Sequence, residues 1–376
     1  MYRRLLDFLC CPACGGPFEL DVLAEASRDG ASEISEALLH CPSDHWYPVV
    51  GGIPRLLPDA LRTYSTHLRG FLPPSSRLLE GYGGDNNEYD RRTQANFNLE
   101  WQHYQLGDKT WGMELDARVR GFFLKPLRLS PEDLEGKVVL DAGCGNGSQS
   151  VVYTEFGAEV IAMDLSSGLE RGYEFRHHRP SARPECIHFV QADLQAPPLR
   201  PGCVDVIHSV GVLHHTPDTE RTFRRVCKIL RPTGHFYVWV YKYEPMVTPL
   251  VNGLRRITTR VPSAAFARIA GVAADPFRLF TFTLNALGVR RYVPMTRREA
   301  ALGLMDIFGA PYAHYHSVEE VSEWFRSEGF TDIWDCNHSR RGFGVCGWRN
   351  TTLDYRAGEA TLGKAREPSA SLENPA

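Results

Sequence analysis

The sequence contains no apolar run near the roughly 20 residues that a membrane-spanning helix needs. It also lacks a strong charge of either sign, because 42 Lys and Arg stand against 45 Asp and Glu, a net charge of −3. Such a balance provides no overall attraction to nucleic acid. The apolar stretch before the first cysteines is too short for a secretory signal, so the sequence predicts a cytoplasmic protein.

The ten cysteines lack the arrangement of a disulfide framework, because four lie within the first 41 residues and the others are scattered. This distribution is typical of metal ligands and free thiols in a reducing compartment. The front cysteines and one histidine form a C-x₂-C…C-x₃-H pattern, which suits tetrahedral zinc. The predicted ligands are Cys11, Cys14, Cys41 and His45. Asp44 and Cys10 are alternative ligands. A further alternative is that the site no longer binds metal and the unit is held by its apolar core alone.

Turn signals and composition divide the chain into successive parts. We predict a small separate unit over 1–60, a helical lead-in over 61–130, a main domain over 131–350 with a helical insertion over 241–316, and a polar disordered tail over 351–376. From residue 138 onward, strand signals alternate with helix signals. This alternation predicts an α/β fold with a doubly wound, Rossmann-like parallel sheet.

The segment VVLDAGCGNG, residues 138–147, is an apolar run that ends in an acid and three glycines. The glycines, which allow a ligand to approach the backbone closely, are Gly143, Gly145 and Gly147. A dinucleotide site would have a glycine where this chain has Ser148. Asp141, just before the first glycine, suits an ammonium group and not a phosphate. Asp164 ends the next apolar run. Together, Asp141 and Asp164 favour S-adenosylmethionine over NAD as the ligand.

Five segments in this order resemble the class I S-adenosylmethionine-dependent methyltransferases, especially the ubiquinone/menaquinone-biosynthesis-like branch. They are LDAGCGNG (140–147), MDLS (163–166), QADLQAPP (191–198), VDVIHSVGVLHHTPD (204–218) and LRPTGHFYV (230–238). The resemblance covers roughly residues 97–240 and 317–349. The front unit, which ends in WYPVVGGIPRLLP, resembles the zinc-ribbon domain of the tRNA-methyltransferase activator type.

The resemblance implies a role for each motif residue. Asp141 and the glycine turn would hold the methionine part, Asp164 the ribose hydroxyls, and Asp193 with Leu194 the adenine. Ser209 would lie beneath the methyl donor, and Trp101 would fold over the cofactor. His214 and His215 are candidate general bases. Structural alternatives are helix capping or a turn for Asp164 and Asp193, and core packing for Trp101. For the two histidines, the alternative is that one packs in the core and the other only shapes the pocket.

Residues 253–298 carry nine arginines against one acid, interleaved with aromatic residues. The arginines are residues 255, 256, 260, 268, 278, 290, 291, 297 and 298, and the acid is Asp275. This mixture suits a membrane surface or a lipid-linked acidic substrate, and the alternative is a solvated face of lid helices. The front unit has four arginines against nine acids, a net charge of −5, which disfavours RNA binding.

The sequence therefore predicts a methyltransferase for a small-molecule or lipid-linked acceptor, with peripheral membrane contact through 253–298. Two alternatives are an rRNA or tRNA methyltransferase, and a non-catalytic protein with a vestigial cofactor site that binds a protein partner through the front unit. The sequence does not identify the acceptor, or whether oxygen, nitrogen or carbon is methylated.

Overall fold

The computed structural model describes residues 1–28, 31–73, 76–79, 88–103, 113–288, 295–339 and 341–349. The predicted disordered tail, 351–376, and parts of the predicted lead-in lie outside the described residues. Among the described helices, none is long and apolar enough to cross a membrane.

The described strands form one sheet of eleven strands in the order β1-β2-β3-β4-β7-β6-β5-β8-β9-β11-β10. The strands are β1 (Glu19–Arg28), β2 (Ala31–His40), β3 (Trp46–Val50), β4 (Ile53–Leu56), β5 (Val138–Ala142), β6 (Glu159–Asp164), β7 (Ile187–Ala192), β8 (Val204–Val210), β9 (Leu230–Tyr241), β10 (Asp332–Cys336) and β11 (Gly342–Trp348). Five adjacent strands, β7, β6, β5, β8 and β9, run parallel to one another, whereas β11 runs antiparallel to both β9 and β10.

The helices connect and cover these strands. They are α1 (Ala60–Thr63), α2 (Ser65–Leu68), α3 (Glu88–His103), α4 (Leu115–Val119), α5 (Lys125–Leu127), α6 (Ser148–Thr154), α7 (Glu170–Phe175), α8 (Thr219–Cys227), α9 (Thr248–Thr258), α10 (Ser263–Ala286), α11 (Arg297–Gly309) and α12 (Val318–Ser327). A π turn at Arg120–Leu124 joins α4 to α5, and 3₁₀ turns lie at Arg3–Asp7, Pro131–Leu134, Ser167–Leu169, Pro184–Cys186 and Leu213–His215.

The central strands are buried on both faces, which explains their nearly continuous apolar sequence. Along β5, Val139 belongs to a cluster with residues of the π turn and α6, whereas Leu140 belongs to a second cluster with residues of α8 and α12. Helices therefore cover both faces of a mostly parallel sheet. The predicted doubly wound α/β fold is confirmed.

The front unit is an antiparallel meander of β1 to β4. Gly51 and Gly52, both with positive φ (59° and 78°), form the two-residue turn between β3 and β4. The sequence predicted a separate unit, but β4 pairs in parallel with β7 through Arg55 and Leu56, so the meander continues the main sheet. Without this pairing, β7 would expose an edge of unpaired backbone groups.

Buried polar contacts reinforce this junction. Arg55 donates to Gln191 at 3.1 Å and to Glu170 at 2.7 Å, and Arg176 donates to Glu33 of β2 at 2.7 Å. Arg55, Arg176 and Glu33 are all buried, so each of these charges requires its partner.

Three helices of the predicted 241–316 insertion form a lid. α10 packs along α11, and both contact α3, where Leu99 joins a cluster with Phe266 and Met305. Arg255, which the sequence placed on a basic surface, is instead buried. Its guanidinium donates to the carbonyl oxygens of Ile307 and Ala310, and this ties α9 to the end of α11.

Candidate functional site

A cavity lies where the carboxyl ends of β5 to β8 meet α3 and the lid. Its volume is about 1080 Å³, a value that includes the open solvent at its mouth. Its lining residues are Thr93, Phe97, Glu100, Trp101, Arg118, Phe122, Asp141, Gly143, Cys144, Asn146, Gln149, Asp164, Leu165, Ala192, Asp193, Leu194, His208, Val210, Gly211, Val212, His215, Thr216 and Asp306. A site at this edge is where open parallel sheets bind ligands.

The glycine turn that follows β5 forms one wall of the cavity. Gly143, Gly145 and Gly147 have φ values of 87°, 60° and 69°, which residues with a Cβ rarely adopt. A Cβ at Gly143 would overlap the Val212 methyl groups, and one at Gly147 would overlap Phe189. The turn therefore depends on glycine for both its conformation and its packing. Gly143 lines the cavity, whereas Gly145 and Gly147 shape the turn behind it.

Asp141 is the second-last residue of β5 and faces the cavity with 4% of its surface exposed. Its Oδ2 accepts a hydrogen bond from Ser150 Oγ at 2.6 Å, and its Oδ1 lies 3.2 Å from His208 Nδ1. His208 Nε2 lies 3.0 Å from the Phe122 carbonyl oxygen, so the imidazole links Asp141 to the π turn. The sequence analysis did not select His208, although it lies within a matching motif.

Asp164 ends β6, next to the glycine turn. Its Oδ2 accepts from the Gly145 amide at 2.7 Å and its Oδ1 from the Ser166 amide at 2.8 Å. Burial raises the pKa of Asp164 to about 6, although the hydrogen bonds to Ser166 and Gly145 act in the opposite direction. The carboxylate is thus fixed by the backbone, and additional hydrogen-bond donors from a ligand would stabilise its charge.

Asp193 and Leu194 follow β7 and both line the cavity. The Asp193 carboxylate accepts from the backbone and side-chain nitrogens of Gln195, at 2.8 and 3.0 Å. Trp101 of α3 packs against the glycine turn, where a Cβ added at Gly145 would overlap its ring. It also packs against the 3₁₀ turn after β6, where a Cβ added at Gly168 would overlap it. The structure therefore brings Asp141, Asp164, Asp193, Leu194 and Trp101 to one cavity.

Besides Gly145 and Gly147, two more of the predicted residues do not line the cavity. The Ser209 side chain is fully buried, and its hydroxyl donates to the Ala142 carbonyl oxygen at 2.9 Å. His214 is also fully buried, with its ring 3.9 Å from that of Tyr241, and neither ring nitrogen has a hydrogen-bond partner among the described residues. Burial, followed by the charge of His215, lowers the pKa of His214 well below its usual value. His214 is a neutral packing residue here.

His215, in contrast, lines the cavity and contacts the lid. Its Nδ1 lies 2.8 Å from the Tyr312 carbonyl oxygen, and its Nε2 lies 3.4 Å from Asp306 Oδ1. Asp306 Oδ2 accepts a hydrogen bond from Tyr241 Oη at 2.7 Å. Asp306 and Glu100, which also lines the cavity, were missed because no local motif marks either position.

The front unit brings the four predicted metal ligands together. The ligand atoms of Cys11, Cys14, Cys41 and His45 all lie within 4.8 Å of one another, with Cys14 Sγ 3.5 Å from Cys41 Sγ. Zinc–sulfur bonds of about 2.3 Å in a tetrahedron require sulfur atoms roughly 3.8 Å apart, so the set fits zinc. Asp44 instead accepts a hydrogen bond from Trp46 Nε1, and His45 is the residue in the cluster.

Two protein families match parts of the chain. Residues 140–238 match the methyltransferase domain, and residues 3–52 match the Trm112p-like proteins. These matches confirm the two resemblances inferred from the sequence motifs.

Curated relatives match part of the chain. A ubiquinone biosynthesis O-methyltransferase of Cupriavidus pinatubonensis is 33% identical over 31% of this chain and 47% of its own length. A tRNA U34 carboxymethyltransferase of Ruthia magnifica is 30% identical over 46% of this chain and 50% of its own length. The chain thus spans no more than about half the length of either relative.

Two solved structures match the chain at low sequence identity. The magnesium protoporphyrin IX methyltransferase of Synechocystis matches 70% of this chain and 98% of that chain, with 16% identity and a TM-score of 0.42. A complex of the Haloferax volcanii Trm112 methyltransferase activator and a methyltransferase matches 71% of this chain and 99% of that chain, with 15% identity and a TM-score of 0.39.

Proposed function

We propose that this chain, which carries a class I S-adenosylmethionine-dependent methyltransferase domain joined to a Trm112-like domain, transfers a methyl group from S-adenosylmethionine to a small-molecule or lipid-linked acceptor. The observation that carries the proposal is the cavity at the strand ends. Three acids at successive strand ends, Asp141, Asp164 and Asp193, line it beside a turn that only glycine can form.

Each acid has a proposed role that its surroundings support. Asp141, at the start of the glycine turn, receives the ammonium group of the methionine part. Asp164 accepts the two ribose hydroxyls, because its two oxygens are already oriented by backbone amides. Asp193, with the Leu194 backbone, contacts the adenine edge. Trp101 covers the turn and packs against the bound cofactor.

The bound cofactor supplies a methyl group that is already activated by the attached sulfonium. The protein therefore has to align the acceptor with the carbon–sulfur bond and exclude water. Burial of Asp141 and Asp164 and the cover provided by Trp101 and the lid serve this purpose.

The zinc cluster has a structural role in this proposal. Cys11, Cys14, Cys41 and His45 hold the ends of β1 and β2 in a unit of about 60 residues, a size at which a core alone is marginal. This unit pairs with β7, so we propose that the protein partner of the Trm112-like domain is the chain's own methyltransferase domain.

A membrane surface is the proposed partner of the lid. Twelve large apolar side chains between residues 243 and 287 are exposed, against two elsewhere in the described residues. At Val247, just before α9, and at Leu250, Leu254 and Ile257 within it, they recur with the spacing of one helical face. Arg256, Arg260, Arg268 and Arg278 are exposed on α9 and α10 and their connection, and complement anionic headgroups. A lipid-linked acceptor would enter from this side.

Titration calorimetry with S-adenosylhomocysteine tests the cofactor site. We expect wild type to bind, and Asp164→Ala to weaken binding about 100-fold because two charge-assisted hydrogen bonds are lost. Asp332→Ala, which removes an exposed carboxylate at a strand start, is the control and should bind as wild type does. A wild-type chain that does not bind would favour the non-catalytic alternative.

Co-sedimentation with vesicles tests the proposed contact between the lid and a membrane. Vesicles containing anionic phospholipid should retain wild type, and the double variant Leu250→Glu, Leu254→Glu should stay in the supernatant. Absence of wild type from the pellet would overturn the membrane contact. Salt-sensitive retention of RNA on a filter would instead favour an RNA acceptor, which the acidic front unit opposes.

A further inference from the structure

The cavity contains two carboxylates that the cofactor does not use in the roles proposed above. Glu100 lies on α3 and Asp306 on α11, and both line the cavity. Glu100 is 5% exposed, and its Oε2 has no hydrogen-bond partner among the described residues. A buried carboxylate oxygen without a partner is costly, unless a ligand supplies one.

The charges of the residues that line the cavity also favour a cationic ligand. Five carboxylates line the cavity against one guanidinium, that of Arg118. Burial, together with the charges of Asp306 and Asp164, raises the pKa of Glu100 well above its usual value. Burial also acts to raise the pKa of Asp306, but the proximity of His215 and the hydrogen bond from Tyr241 outweigh it and hold that pKa below its usual value. A cation between Glu100 and Asp306 would relieve the repulsion and stabilise both charges.

We propose that Glu100, Asp306 and His215 form the acceptor subsite, and that the acceptor presents a protonated amine to it. This inference rests on the proposed function and adds the class of acceptor. The two carboxylates bind the ammonium group by charge-assisted hydrogen bonds. An anionic acceptor group, such as a carboxylate or phosphate, is repelled from the same place.

His215 provides the base that such an acceptor requires. Its hydrogen bond to the Tyr312 carbonyl oxygen needs the proton on Nδ1, so the lone pair of the neutral ring is on Nε2, which faces Asp306. Nε2 takes one proton from the ammonium group. The freed nitrogen lone pair forms the bond to the methyl carbon while the carbon–sulfur bond breaks, and that electron pair stays on sulfur. Asp306 stabilises the imidazolium until its proton passes to water.

The test compares two cofactor analogues in the full-length protein by titration calorimetry. S-adenosylhomocysteine has no charge at the sulfur position, whereas sinefungin carries an amine on a carbon that replaces the sulfur, and this ammonium would point to the acceptor side. We expect wild type to bind sinefungin at least tenfold more tightly than S-adenosylhomocysteine. Asp306→Asn and Glu100→Gln should each reduce this preference at least fivefold, and leave the affinity for S-adenosylhomocysteine within twofold.

One control separates charge at the subsite from charge elsewhere on the lid. Asp275→Asn removes an exposed carboxylate from α10 and should keep the wild-type preference. An unchanged preference in Asp306→Asn would overturn the subsite. Equal affinities of wild type for S-adenosylhomocysteine and sinefungin would also overturn the subsite. This is the result expected if the acceptor is a neutral hydroxyl group. Failure of wild type to bind either analogue would overturn the proposed function itself.

Discussion

The two walls of the cavity are built differently. The strand-end wall is held by the backbone: the Asp164 carboxylate accepts two amide hydrogen bonds, and the glycine turn has no room for a Cβ. The lid wall is held by side chains, through the Phe266 cluster and the Arg255 contacts, and its outer face is apolar and exposed. In the proposed function, the ligand common to every reaction cycle lies against this rigid wall, and the acceptor lies against the wall that is held by side chains.

The strongest test of the rigid wall is a methyl group in the glycine turn. Gly143→Ala should lower the free energy of unfolding by about 3 kcal/mol, because positive φ and overlap with Val212 each add strain. Gly202→Ala is the matched control, with φ of 64° and no atom within 4 Å of a Cβ, and should cost about 1 kcal/mol. Urea unfolding measures both. Equal losses would show that the turn is not tightly packed.

The second test extends the comparison to the front unit, which supports the strand-end wall through β4. Cys41→Ser should remove zinc, as measured by metal analysis, and lower Tm by about 5 °C because the cluster closes the ends of β1 and β2. Cys10→Ser, outside the cluster, should retain zinc and Tm. A zinc-free wild type, or Cys41→Ser with full zinc content, would contradict the assigned ligands.

The third test uses the raised pKa of Asp164, about 6. Below that pH the carboxyl group of the empty site is protonated and cannot accept two ribose hydroxyls, so the proton competes with the ligand. Affinity for S-adenosylhomocysteine should be about tenfold lower at pH 5 than at pH 7.5, since a one-unit excess of pKa over pH corresponds to about a factor of ten. In Asp164→Asn the affinity should be weak and change less than twofold over this range. An equally steep pH dependence of the affinity in that variant would show that the group that takes up the proton is not Asp164.

The smallest effect is expected on the outer face of the lid. The double variant Leu250→Glu, Leu254→Glu should change the free energy of unfolding by less than about 0.5 kcal/mol, because both side chains are exposed. Leu304→Glu, on the inner face of α11, should destabilise the lid by several kcal/mol, since it buries an unpaired charge. Similar losses in the two proteins would mean that the outer face is covered in solution.

The strand-end wall was largely accessible from the sequence, because its signals are local. Asp141 and the glycines are within ten residues, and Asp164 ends the next strand of a regular repeat. Ser209 shows the limit: neighbours along a strand point to opposite faces, so His208 and Val210 line the cavity and Ser209 does not. A strand buried on both faces gives no alternation of polarity from which to choose.

The lid wall was much less accessible. Glu100 and Asp306 are 206 residues apart and meet only because α3 packs on α11. Arg255 was one of nine arginines that composition could not distinguish, and only the end of α11 makes it a buried residue. The front unit was predicted as separate because nothing in β4 alone indicates that its partner is β7, more than 130 residues later.

A crystal structure of the complex with S-adenosylhomocysteine tests the central claim most directly. It should show both ribose hydroxyls on the Asp164 carboxylate, the amino group beside Asp141 and the adenine at Leu194. A nucleoside bound outside this crevice, or with its ribose away from Asp164, would contradict the account.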